Sequence, residues 1–514
     1  MNLKTIILFI ISLILISSCG NPQPDKQGVS FYFDAEKGND ANSGLSEKQA
    51  WRSINKVKDI KLNPGDSVLF RRGSTFNGIL EINAKGRPDS RIVFDTYGIG
   101  KKPCISAPDS SLYAACITNS DYITIQNIEI VNTGSKPMPH RTGIKVITDN
   151  YGTSRNVVLN ALDIHDVNGS LIKHEGGGSG ILIQSKWKDV VSVFDSLTIE
   201  NCAIRRCQRN AIIWSAPWSR KDWHLSTNTV VRKNLIEEVP GDGIVPIGCD
   251  GALIEYNLMR NCPDLLPSDQ AAAGFWPWSC DNTVIQFNEV SDHKAPWDGQ
   301  GFDSDFNCTN TTIQYNYSHN NQGGLVLICN AGKGETDPED NIGNIGTVVQ
   351  YNISINDAIR TRKTRIGMFS PTIHIAGPCE NTSISNNILH SNVKPTANVD
   401  RAMITSDSWG GYANNTTIKD NVFYAPESSS FNLNKSTNNY FNNNYYLGIF
   451  KKIPKDDTGN ISSSYYQSLI KDDSEGYNAL AQLFEEIKVG DGAATMKVVR
   501  KDAVEKFFRK MRGE

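Results

Sequence analysis

The segment Trp297-Asp-Gly-Gln-Gly-Phe-Asp-Ser-Asp-Phe306 gathers the chain's densest set of groups able to do acid–base chemistry. Phe302, Ser304 and Phe306 share one parity with Cys308, and Asp303 and Asp305 share the other. Alternate residues of a strand face opposite sides. With the phenylalanines and Cys308 turned inward, both aspartates point outward. Burying them without partners would be very costly. Alternate strand positions lie roughly 6.5–7 Å apart, a spacing at which two carboxyls reach either side of one glycosidic bond. Repulsion between them would raise the proton affinity of one, giving a general acid beside an ionised partner. Asp298, just ahead of the strand, is a third carboxylate. The competing uses of Asp303 and Asp305 are bonds to turn amides or a structural Ca2+, an ion that takes oxygen ligands.

These residues need a scaffold, and a recurring phrase supplies one. Apolar-x-x-Asn returns at Val231–Asn234, Ile254–Asn257, Ile285–Asn288, Ile313–Asn316, Val349–Asn352, Ile384–Asn387 and Ile418–Asn421. A unit repeated every few tens of residues marks a solenoid whose units must stack to bury their apolar faces. Aligned asparagines at a turn would satisfy backbone groups of the coils above and below. Cys249, Cys280, Cys308 and Cys379 each precede the apolar residue of the phrase by five positions. They are expected to form a buried file of small hydrophobes, with disulfides between coils as the alternative in an exported chain.

That register places neighbours around the aspartates. Trp276 and Trp278, one coil earlier, are either a stacking platform for a sugar ring or core. His374 falls at the position of Asp303, with the Gly323–Cys329 coil between them. Asp242, in Gly241-Asp-Gly243, is a binding residue or a turn residue. His293 and Lys294 precede the key strand. Insertions, which gather on a solenoid's binding face, are expected at 214–225, 263–273 and 331–346. The first carries Trp214, Trp218, Arg220 and Trp223.

The chain has 514 residues, a formal charge of −3 and 21% charged residues, with no basic footprint for nucleic acid. At the N-terminus, Lys4, an apolar run from Ile6 to Ile16 and Ser17-Ser18-Cys19 read as a secretory signal. Cys19 at the junction resembles the lipidated cysteine of bacterial lipoproteins. The expectation is an exported protein held to a membrane only through Cys19, with residues 1–19 as signal and 20–29 as tether. Residues 30–110 would form an N-terminal cap and first coils, and 111–447 the solenoid. Residues 448–514 would cover its C-terminal edge, with helix near 479–484 and 503–508, the latter capped by Asp502.

The cluster Gly38-Asn-Asp-Ala-Asn-Ser-Gly44 with Ala50-Trp51, Pro64-Gly-Asp66, Tyr97-Gly98 and Lys102-Pro103 resembles the N-terminal cap of bacterial proteins of the pectate-lyase-like superfamily. That resemblance implies an all-β, right-handed parallel β-helix, and it says little about activity. Phe302-Asp-Ser-Asp-Phe306 with Gln314-Tyr-Asn-Tyr-Ser-His319 resembles the site coil of β-helix glycoside hydrolases of the lacto-N-biosidase type, which work through paired aspartates. The expected function is hydrolysis of an oligo- or polysaccharide by Asp305 paired with either Asp298 or Asp303. Trp218, Trp276, Trp278, Asp242 and His374 would hold the substrate. No cofactor is required for that chemistry, and Ca2+ remains a candidate ligand. The alternatives are a polysaccharide lyase, for which Arg360, Arg362, Lys363 and Arg365 would be the basic groups, and a glycan-binding protein without turnover.

Overall fold

The computed structural model describes residues 28–332, 339–361, 363, 369–392, 401–459, 463–471, 473 and 476–514. The expected signal, Cys19, most of the tether, Arg362 and Arg365 lie outside them. The chain is a right-handed parallel β-helix. One sheet stacks 15 strands in parallel, from Ser30–Phe33 to Thr437–Asn442. Two further parallel sheets complete the coils.

The repeat phrase explains the winding. Its apolar residues stack in register as Val231, Ile254, Ile285, Ile313, Val349, Ile384 and Ile418, all buried. Each such side chain contributes about 1.5–3 kcal/mol relative to exposure. The residue before each asparagine turns the chain through left-handed backbone, as Tyr256, Phe287, Tyr315 and Tyr351 do at φ between 54° and 56°. The asparagines then carry one hydrogen-bond ladder. Each Nδ2 from Asn234 to Asn421 donates to the Oδ1 of the next asparagine at 2.9–3.1 Å. Asn444 ends the ladder by donating to Asp456 Oδ2 at 2.8 Å. Such ladders pair turn amides that would otherwise be buried and unsatisfied.

The expected cysteine file is present. Cys249, Cys280, Cys308 and Cys379 are fully buried, and the ten described cysteines are all free thiols. Between Cys308 and Cys379 the file is filled by Asn344, which pairs in register with Cys379.

The C-terminal segment corrects three expectations. Residues past 462 do not close the end of the solenoid; they fold back along its flank. Lys497 N–H donates to Glu289, Glu505 accepts from Tyr315 at 2.9 Å, and Asp491 pairs with Lys102 at 2.9 Å. The segment buries an outward apolar row that includes Leu235, Leu258, Tyr317, Ile353 and Ile388. Residues 479–484 hold a single 3-10 turn that opens into the strand Phe484–Val489, antiparallel to Ala494–Val499. The last helix spans Lys501–Met511, so Asp502 lies inside its first turn and Arg500 is the cap residue.

Candidate active site

Four strands of one sheet carry the site: β1 (Phe302–Ser304), β2 (Val326–Cys329), β3 (Ile373–Ala376) and β4 (Ala402–Asp407). Their register runs Asp303–Leu327–His374–Thr405. His374 therefore does occupy the position of Asp303, two coils on. Parity holds for Phe302 and Ser304, which face the core, and for Cys308. It fails for Phe306, which joins Leu327, Cys329, Ala376 and Trp409 on the outer face. The reason is that β1 stops at Ser304, and alternation carries no further than the strand. Buried Asn344 holds this end in place by donating to the carbonyls of Ser304, Asp305 and Cys329.

A cavity of about 730 Å3 opens over these strands. Its wall includes Trp297, Asp298 and Gln300 from one coil, Ser268, Asp269 and Ala271 from the 263–273 insertion, and His374, Asp407 and Trp409 from later coils. Asp298 is presented by a short added strand: Trp297–Asp298 pairs with Ala271–Ala272 of the insertion. Its backbone is left-handed at φ 59°.

The three sequence-predicted aspartates differ in environment. Asp298 lines the cavity, and its proton affinity is raised to about 6 by burial first and by the negative charge of Asp305 second. Asp305 is half-buried and lies off the cavity wall. Its proton affinity is raised by burial, against which the Cys329 thiol, donating at 3.1 Å, and the Phe306 amide favour the carboxylate. Asp303 is only 3% exposed and its Oδ1 has no hydrogen-bond partner. Burial and the charges of Asp298, Asp305 and Asp242 push its proton affinity well above the carboxylate range.

The other expected residues divide. His374 lines the cavity, bonds Asp407 at 3.1 Å and stands edge-on to Phe369 and Trp409. Trp276 does not offer a free face. It is buried, donates its indole N–H to Asp242 at 3.2 Å and lies under the Lys173 ammonium. Asp242 is a buried structural group that also accepts from the Ala273 amide and sits 3.5 Å from the fully buried Arg209. Trp278 and Trp218 stack on each other at 5.6 Å, away from the cavity wall. His293 is a core residue bonded to Gly241 O and the Ala295 amide, and burial pushes its proton affinity down to about 4. Arg220 is engaged by Asp281, Asn307 and the face of Trp223.

Sequence reasoning missed Asp407, Trp409, Lys173 and Asn344. Asp407 was reachable by counting one coil on from Ala376, its register partner. Lys173 comes from a loop with no periodic signal. Arg360, one of the basic groups of the lyase alternative, is 4% exposed and lines the cavity. Among the described residues, no group of three or more His, Cys, Asp or Glu is placed to hold a metal ion.

No family model matches the chain. It is 28% identical over 425 residues to a lacto-N-biosidase of Bifidobacterium longum subsp. longum, a match taking in 64% of this chain and 26% of that protein. The chain thus spans about a quarter of the length of the curated relative it matches. Among solved structures, a GH136 lacto-N-biosidase from Eubacterium ramulus superposes with a TM-score of 0.60 at 24% identity, covering 83% of this chain and 68% of that one. A mannuronic acid specific polysaccharide family 6 lyase from human gut microbiota superposes with a TM-score of 0.50 at 13% identity, covering 90% and 98%. Both likenesses support the parallel β-helix.

Proposed function

We propose that this chain is a glycoside hydrolase that cleaves a complex glycan, with Asp298 and Asp305 as its working carboxylate pair. One observation carries the reading: a carboxyl that lines the cavity is held at a proton affinity of about 6 beside a second carboxyl, itself raised by burial, whose bonds from the Cys329 thiol and the Phe306 amide favour its ionised form. Interacting carboxyls titrate as a pair, with one proton held more tightly than the other. One protonates the leaving oxygen, and the other serves as nucleophile or base. Asp303 then has a supporting role, because it is almost fully buried whereas Asp305 is half-buried, and its proton affinity is pushed well above the carboxylate range. The cavity volume lies within the roughly 300–1,000 Å3 of small-ligand sites, which suits a short stretch of glycan. His374, Asp407, Trp297 and Trp409 give it polar and aromatic contacts. The similarity to a lacto-N-biosidase supports the same class of reaction.

A lyase needs a cation free to neutralise a substrate carboxylate. Arg360 donates to four backbone carbonyls and Arg220 is held by Asp281 and Asn307, so neither guanidinium is free for that task. Hydrolysis by the pair requires no cofactor. The proposal extends to export and lipid anchoring at Cys19, checked by incorporation of labelled fatty acid that a Cys19→Ala variant loses.

The deciding experiment is product analysis with a panel of glycans that includes lacto-N-biosidase substrates. Fragments that have gained water, lost in Asp298→Asn and Asp305→Asn, are the expected result. Unsaturated fragments absorbing in the ultraviolet would refute hydrolysis. Binding without any product would leave a glycan-binding protein.

A further inference from the structure

Arg360 is buried in the cavity wall yet has no carboxylate partner among the described residues. Its Nε donates to Phe369 O at 3.0 Å, Nη1 to Ala295 O at 3.2 Å and to Pro296 O, and Nη2 to Asp298 O at 2.6 Å. Four of the five guanidinium N–H groups are thereby spent on carbonyls. Three of those carbonyls belong to the short turn that ends at Asp298. The fourth belongs to Phe369, which packs against His374 across the cavity.

We infer that Arg360 is a positioning residue for the proposed hydrolysis: its guanidinium fixes the left-handed turn that presents Asp298 and sets an uncompensated positive charge against that carboxyl. The inference rests on the hydrolase reading. The turn needs such a fastener. A left-handed backbone at a residue other than glycine is strained and persists only where its surroundings over-determine it. Gly299, next along, is also left-handed at φ 74°, so the turn has two consecutive positions of this kind. The rigid planar fork of arginine holds these four carbonyls in one fixed geometry, whereas a lysine ammonium is a compact point charge with three donors on a flexible stem.

The charge acts on a crowded carboxyl. Asp298 faces Asp305 and Asp303 from its own coil, Lys173 from the 169–178 loop, His374 from β3, and Arg360 itself. Asp269, Lys363 and Asp407 line the remainder of the cavity. Arg360, Lys173 and His374 oppose the upward push of burial and of Asp305. Removing the Arg360 charge therefore moves the Asp298 titration upward. Keeping the charge but losing the fork leaves the titration near its place and spoils the geometry.

The test compares wild type, Arg360→Lys and Arg360→Gln, each first shown to unfold cooperatively. Arg360→Lys is expected to lose about 100-fold in kcat, the scale of an ångström-sized misplacement of a catalytic group, with KM nearly unchanged and the pH–rate limb in place. Arg360→Gln is expected to show that loss together with a limb shifted to higher pH. A loss confined to KM, or wild-type kcat and limb in Arg360→Gln, would overturn the inference. Should Arg360→Gln fail to fold, the KM-against-kcat split in Arg360→Lys carries the test. Titration of 13C-labelled aspartates, with Asp298→Asn to assign the signal, reads the same charge effect without turnover. Failure of wild type on every glycan would sink the hydrolase reading alone, whereas an unmoved Asp298 midpoint in Arg360→Gln would sink the positioning role alone.

Discussion

Replacing Asp298 with asparagine should stabilise the folded chain at neutral pH while abolishing turnover. The Asp298 carboxyl titrates at about 6 in the folded chain against an ordinary value of 3.8. Between those two values the folded state binds more protons than the unfolded state. Stability contributed by the neutral carboxyl is thus full below the lower value and is lost as pH rises to the upper one. A gap of about 2 units at about 1.4 kcal/mol each gives about 3 kcal/mol. Solvent screening of a half-buried group lowers the range to about 1–3 kcal/mol. Asparagine has nearly the same shape and never ionises, so it escapes the loss. It also removes one of the charges that push Asp303 upward, which acts in the same direction. The Arg360 bond to residue 298 is to the backbone carbonyl and survives the change. The assay is urea unfolding of wild type and Asp298→Asn at pH 4 and pH 7.5, at one ionic strength. The variant should match wild type at the lower pH and exceed it at the higher. A variant less stable than wild type at pH 7.5, or a difference that ignores pH, would refute the reasoning.

Three further outcomes follow from individual contacts. Asn316→Ala removes the acceptor for the Asn288 amide and the donor for Ile285 O, both buried, so unfolding should move by about 2–6 kcal/mol at about 1–3 kcal/mol per orphaned group. Gln314→Ala in the same coil, which breaks only half-buried side-chain bonds to Gln286 and Gln350, should cost less than about 1 kcal/mol in the same denaturant experiment. Cys329→Ala removes the thiol that donates to Asp305, so the limb of the pH–rate profile set by Asp305 should move to higher pH, and Cys329→Ser, which keeps a donor, should restore it.

The solenoid was legible because its signal is repeated. Seven copies of one phrase fix a period, and the period fixes which residues stack. The placement of His374 opposite Asp303 followed from the cysteine file alone, although one member of that file is an asparagine. Asn344 broke the pattern where the backbone of Ser304 and Asp305 needs a buried donor. The aspartates themselves were legible as a group. Their different environments were not, because strand parity is silent about residues outside the strand. Asp298 sits in a left-handed turn pinned by an insertion and a distant arginine, contacts of sequence separation that no local pattern encodes. Trp276 was ambiguous for a related reason: its indole is claimed by Asp242, whose own Gly-Asp-Gly context reads as a turn. The C-terminal segment misled because its partners, from Lys102 to Tyr351, lie hundreds of residues earlier.

The two kinds of residue occupy different parts of each coil, and this separation has an energetic consequence. A solenoid's stability is close to a sum over coils and their contacts with neighbours. The asparagine ladder and the apolar file supply that sum on one side of the turn. The site strands lie on another sheet, beside the short added strand where the Asp298 carboxyl, raised to about 6, costs about 1–3 kcal/mol locally. Because eight ladder asparagines and their files carry the stack past the site on both sides, that cost does not have to be met at the site itself. The insertion at 263–273 and the Arg360 fork can then be shaped for the carboxyl they hold rather than for the winding. On this argument, substitutions in the ladder should lower stability and leave the pH dependence of turnover alone. Substitutions in the turn at 295–299 should move the pH dependence while the unfolding midpoint changes little or rises.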